Sequence, residues 1–94
     1  MIVLNVTYKC KAGKRNDFLD VIQKEGIDEA SRAEEGNVKY EYYLPVADSD
    51  EVLLVEKWQN ADAITQHGQQ PHYKRLGELK ADFVVDTIIE RFEV

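Results

Sequence analysis

The apolar periodicity of this chain switches between strand-like and helix-like in a single order: strand, helix, strand, strand, helix, strand. Residues Ile2 to Lys9 carry β-branched and aromatic side chains over one strand length. After the turn Ala12-Gly13-Lys14, Asn16 or Asp17 is placed to cap a helix. Its apolar positions Phe18, Leu19, Val21, Ile22 and Ile27 recur at helical spacing, and Gly36 is its stop signal. Val38 to Leu44 and Glu51 to Gln59 read as two further strands joined by the polar connection Pro45 to Asp50. Asn60 caps a short helix over Ala61 to His67 that Gly68 ends, and Pro71 opens another over His72 to Lys80. Phe83 to Val94 reads as the last strand. The order β-α-β-β-α-β is the split βαβ, or ferredoxin-like, pattern. The expected fold class is α+β, an antiparallel sheet with helices on one face, in one domain spanning residues 1–94.

Helices cover only one face of such a sheet, so the other should read polar at every second position. Here it does not. Ile2, Leu4, Val6 and Tyr8 share one face of the first strand, but Val3 lies on the other. Val52 and Leu54 oppose Leu53 and Val55, while Phe83, Val85 and Ile89 oppose Val84, Ile88 and Phe92. The pattern predicts a homodimer in which a second copy covers the open face. A chain of 94 residues buries only roughly 60–65% of its unfolded surface, so a partner surface would add to a modest core.

The formal net charge of −6 argues against nucleic acid and anionic membrane surfaces as partners, because both need cationic surfaces. Cys10 is the only cysteine, so no internal disulfide can form, which suits a reducing compartment. Residues Met1 to Lys14 lack the basic start and apolar run of a secretory leader. A cytoplasmic location is expected.

The densest group of chemically capable side chains is Glu56, Trp58, His67, His72 and Tyr73. It holds both histidines and the only tryptophan. An imidazole near a sheet can exchange a proton near neutral pH. Each residue also has a plainer role: Trp58 as packing, Glu56 as an acceptor for a helix start or an arginine, and His67 as a cation at a helix C-terminus. Asn5 is polar within an apolar strand, which suits either a pocket or a subunit seam. The three tyrosines Tyr40, Tyr42 and Tyr43 suit strand packing. Cys10, His67 and His72 have no spacing that suggests a coordination set, so no metal is expected. The acidic run from Asp28 to Glu35 reads as a solvated helix face.

Glu56-Lys57-Trp58, then His67, then Pro71-His72-Tyr73, resembles the signature of the antibiotic biosynthesis monooxygenase domain family. Glu34-Glu35-Gly36-Asn37 followed by Tyr40 is similar to that family's acidic-glycine turn into its second strand. The resemblance spans nearly the whole chain. It implies a dimeric α/β barrel, with a pocket in each subunit between sheet and helices. It also implies one of several chemistries. Some members oxidise polyphenols, anthrones or quinols with molecular oxygen and no metal, flavin or haem. One branch isomerises a phosphorylated signalling molecule in autoinducer-2 breakdown, and another degrades haem. The haem branch needs a tryptophan and a histidine at positions that fall on His67 and near Gly77 here, so two of its three working residues are missing.

On the oxygenase reading, His67 is the base or hydrogen-bond partner, Trp58 walls the pocket and Asn5 orients an oxygen. Tyr73, His72 and Glu56 contact the substrate, and no cofactor is needed. On the isomerase reading, His67 or His72 shuttles a proton while Lys57, Lys74 or Arg75 holds the phosphate. The third reading is a dimeric module that binds a small molecule without changing it.

Overall fold

A computed structural model describes residues 1–94. The elements are β1 (Ile2–Cys10), α1 (Arg15–Lys24), α2 (Ile27–Arg32), β2 (Asn37–Tyr43), β3 (Glu51–Trp58), α3 (Ala61–His67), α4 (Pro71–Phe83) and β4 (Val84–Glu93). The four strands form one antiparallel sheet in the order β2-β3-β1-β4. This is the expected α+β, ferredoxin-like architecture.

Strand alternation sorts each strand's side chains between two faces. Ile2, Val6 and Tyr8 of β1 and Val52, Leu54, Glu56 and Trp58 of β3 are buried under the helices. Phe18 and Ile22 of α1, Ile27 of α2, and Leu76 and Leu79 of α4 complete that core. Phe18 meets Tyr8 edge to face at 5.6 Å between centroids. On the other face Val3 and Thr7 stand beside Leu53, Ile88 and Phe92, with Tyr43 opposite Leu53. Ile88, Phe92 and Tyr43 are each more than two-fifths exposed. The open face is therefore apolar, as the sequence predicts.

The first helical stretch differs from its expected form. Gly26, at φ +68°, breaks it into α1 and α2, because its left-handed backbone ends one helix and starts the next. Neither Asn16 nor Asp17 caps α1; Lys14 takes that position without a side-chain hydrogen bond. Asn60 does cap α3, accepting from the Ala63 N–H at 3.0 Å. Phe83 belongs to the end of α4, not to the last strand. No helix is long and apolar enough to cross a membrane.

The acidic run is solvated only in part: Glu29 and Glu35 are exposed, but Asp28 and Glu34 are not. Asp28 is buried and accepts from Arg32 at 2.8 Å, and Arg32 also donates to the Tyr40 carbonyl at 2.9 Å. Glu34, in the turn after α2, has a side chain only 11% exposed. Gly36 explains how that turn comes so close to α3. Its φ of +87° suits glycine, and a Cβ there would stand 2.7 Å from the Ala63 Cβ. The Gly36 carbonyl also accepts from the Gln59 N–H at 2.8 Å, fixing the turn against the end of β3.

Candidate active site

A cavity of about 340 Å³ lies between the helix-facing side of the sheet and helices α3 and α4. Its floor is Leu4, Val6 and Tyr8 of β1 with Ile89 of β4, and its roof is Ile64 of α3 with Leu76 of α4. The polar side chains at its lining are the buried Glu56 and His67, with Tyr73 and Lys80 of α4 and Thr87 and Arg91 of β4. An apolar volume of this size with a few placed polar groups is the usual form of a small-molecule site.

His67 is the last residue of α3 and is nearly fully buried. Its ring lies 4.7 Å from the Trp58 ring and meets Tyr73 edge to face at 5.1 Å. Nδ1 lies 2.5 Å from Glu34 Oε2. Burial lowers the His67 pKa from its ordinary value of 6.5, and the Glu34 hydrogen bond opposes that shift without overcoming it. The ring is therefore neutral near pH 7, with Nδ1–H donated to the carboxylate. Nε2 then carries the free lone pair. A carboxylate that fixes the imidazole tautomer is the arrangement of histidine bases in acyl-transfer triads.

Glu56 points from β3 into the same cavity. Burial pushes its carboxyl up to about 7, a hydrogen bond from Trp58 Nε1 at 3.0 Å holds it down, and the charge of Glu34 adds to the rise. Near neutral pH this group is thus poised between acid and carboxylate.

Three of the six expected residues line the cavity: His67, Glu56 and Tyr73. The other three do not. Trp58 is wholly buried beside the His67 ring, where it supports that ring and Glu56 and does not line the cavity. Asn5 has the opposite strand parity from Leu4 and Val6 and sits on the open face, level with Val55 and Glu90. His72 lies in a separate cleft and bonds Glu34 Oε2 through Nε2 at 2.8 Å. The missed residue is Glu34, which binds both histidines. Its sequence neighbours gave it the look of a surface residue, and only the glycine two positions later hinted at a close turn.

Residues 1–79 match the antibiotic biosynthesis monooxygenase family. The chain belongs to this family. Among its relatives is "Putative monooxygenase YcnE" of Bacillus subtilis (strain 168), 35% identical over 74 residues, which cover 79% of this chain and 76% of YcnE. The uncharacterised protein sll1783 of Synechocystis is 29% identical over 83 residues, or 88% of this chain; the match spans only 55% of sll1783. Solved structures share the fold at lower identity. The structure described as "Putative antibiotic biosynthesis monooxygenase from Nitrosomonas europaea" matches with a TM-score of 0.90 at 20% identity, covering 100% of this chain and 98% of that one. PA3566 from Pseudomonas aeruginosa matches with a TM-score of 0.88 at 19% identity, covering 99% and 92%.

Proposed function

We propose that this member of the antibiotic biosynthesis monooxygenase family is a cofactor-independent monooxygenase for a small quinol-like or polyphenolic compound, and that it works as a homodimer. One observation carries the reading: a buried histidine, its Nδ1 held by Glu34, borders an apolar cavity of about 340 Å³. Nε2 of His67 takes the proton of a bound phenol or activated carbon. The resulting electron-rich anion gives an electron to molecular oxygen directly. One oxygen atom then enters the substrate and the other leaves as water, with two substrate hydrogens. Leu4, Val6, Ile64 and Leu76 hold the ring and keep out bulk water. Lys80 and Arg91 supply positive potential where negative charge develops. Glu56, in its protonated form, donates a hydrogen bond to a substrate oxygen.

The dimer reading rests on the apolar open face, on which Ile88, Phe92 and Tyr43 are exposed. Asn5 belongs to that seam.

The same two cations favour a second reading, an isomerase for an anionic carbonyl compound. Lys80 and Arg91 take the place expected for Lys57, Lys74 or Arg75, none of which lines the cavity. Lys57 lies on the open face, and Arg75 is held by Glu25 at 2.7 Å. Oxygen uptake separates the two. An oxygenase consumes oxygen in step with substrate, whereas an isomerase exchanges a carbon-bound hydrogen with solvent deuterium and consumes none.

A further inference from the structure

We propose that Glu34, His67 and His72 form a site for one divalent transition-metal ion of the zinc class, whose binding switches His67 to the tautomer that cannot act as a base. Glu34 Oε2 lies 2.5 Å from His67 Nδ1 and 2.8 Å from His72 Nε2, and the three donor atoms all lie within 4.8 Å of one another. Zinc sits about 2.0–2.2 Å from histidine nitrogen and carboxylate oxygen, so neighbouring donors of a tetrahedral site stand about 3.4 Å apart. Glu34 Oε2 must therefore move off His67 Nδ1 by about 0.9 Å and off His72 Nε2 by about 0.6 Å, within the reach of side-chain rotation, to admit an ion.

The donor types set the class of ion. Two imidazoles and a carboxylate suit zinc, cobalt and iron, whereas magnesium and calcium want oxygen ligands throughout. Three protein ligands leave a fourth position for water.

An ion also has its own way in. A second cleft of about 330 Å³ exposes Glu34 and His72 together with Glu35, Gln66 and Gln70. It does not include His67, whose ring borders the substrate cavity instead. Since His67 Nδ1 bonds Glu34, an ion entering by this cleft meets Glu34 and His72 first and would reach Nδ1 by displacing that bond.

Coordination changes the proton inventory. On coordination Nδ1 of His67 gives its lone pair to the ion, the Nδ1 proton leaves to solvent and Nε2 takes a proton from solvent, so the ring itself gains no net charge. Nε2–H is then a donor toward the cavity, not an acceptor. This consequence rests on His67 being the base; the binding itself does not.

The test is titration of metal-free protein with cobalt(II) in the absence of any substrate, followed by visible absorption, with zinc as competitor. The expected result is one cobalt per chain, displaced by zinc, with affinity weakened at least tenfold in both Glu34→Gln and His72→Ala. Circular dichroism establishes that each variant is folded. Absence of a cobalt band up to millimolar metal overturns the site. Unchanged affinity in folded His72→Ala also overturns it, because the ion is then bound elsewhere. Oxygen uptake as fast in the zinc-loaded protein as in the metal-free one overturns the tautomer switch.

Discussion

Glu34 and His67 stand 33 residues apart in sequence, yet Glu34 Oε2 accepts the His67 Nδ1 proton at 2.5 Å. That bond decides which ring nitrogen is free. It also raises the basicity of an imidazole that burial alone would weaken. Replacing Glu34 with Gln removes the charge and keeps the shape. The His67 pKa should fall further below 6.5, so the acid limb of kcat/KM moves to lower pH. The plateau rate should drop by roughly tenfold or more, less than the loss in His67→Ala. A pH-rate profile of the two variants beside the parent checks both parts.

Glu56 makes a stability prediction with a definite sign. Its folded pKa, about 7, lies above the ordinary 4.5. A group raised in this way supports the fold fully below pH 4.5 and loses that support as pH rises through about 7. Glu56→Gln keeps an acceptor for Trp58 Nε1 and cannot ionise. At ~1.4 kcal/mol per pKa unit, it should be more stable than the parent above pH 7 by up to about 3 kcal/mol, with the gain vanishing in acid. Urea denaturation at several pH values measures this; an equal difference at every pH would contradict it.

Gly36 ties the turn bearing Glu34 to α3. Gly36→Ala meets both a left-handed backbone at φ +87° and a 2.7 Å approach to the Ala63 Cβ. It should lose more than about 1 kcal/mol of stability. The turn must also move off α3, so the acid limb should shift as it does in Glu34→Gln. Thermal unfolding and the pH profile of the same sample test the two effects together.

What the sequence showed depends on how local each signal is. The strands, the Asn60 cap and the apolar open face follow from periodicity and short-range hydrogen bonding, and all are present. The site was legible where strand parity or a motif placed a residue, as for Glu56 and His67. It was not legible where a partner comes from a distant turn. Glu34 looked solvated because its sequence neighbours are charged, and its burial arises from the packing of Gly36 against Ala63. The same holds for Trp58, whose ring is covered by His67 from α3. Of the two places the sequence offered Asn5, pocket or seam, alternation alone excludes the pocket by putting it opposite Leu4 and Val6. The break at Gly26 was missed because glycine within a helical pattern carries no mark of its φ.

The open face predicts its own partner. Phe92 and Ile88 are adjacent to Val3 and Thr7 across the β1–β4 ladder. Phe92→Asp places a charge on the apolar open face and should turn a dimer into a monomer at micromolar concentration. Sedimentation equilibrium reads the mass directly, and a parent already of one-chain mass would contradict the dimer.

The most direct test is oxygen consumption by purified, metal-free protein against a panel of quinols, anthrones and catechols, with His67→Ala run in parallel. The account predicts uptake matched to substrate loss, reduced ~10²–10⁴-fold in the variant. No uptake with any compound, or equal uptake by folded His67→Ala, would contradict it.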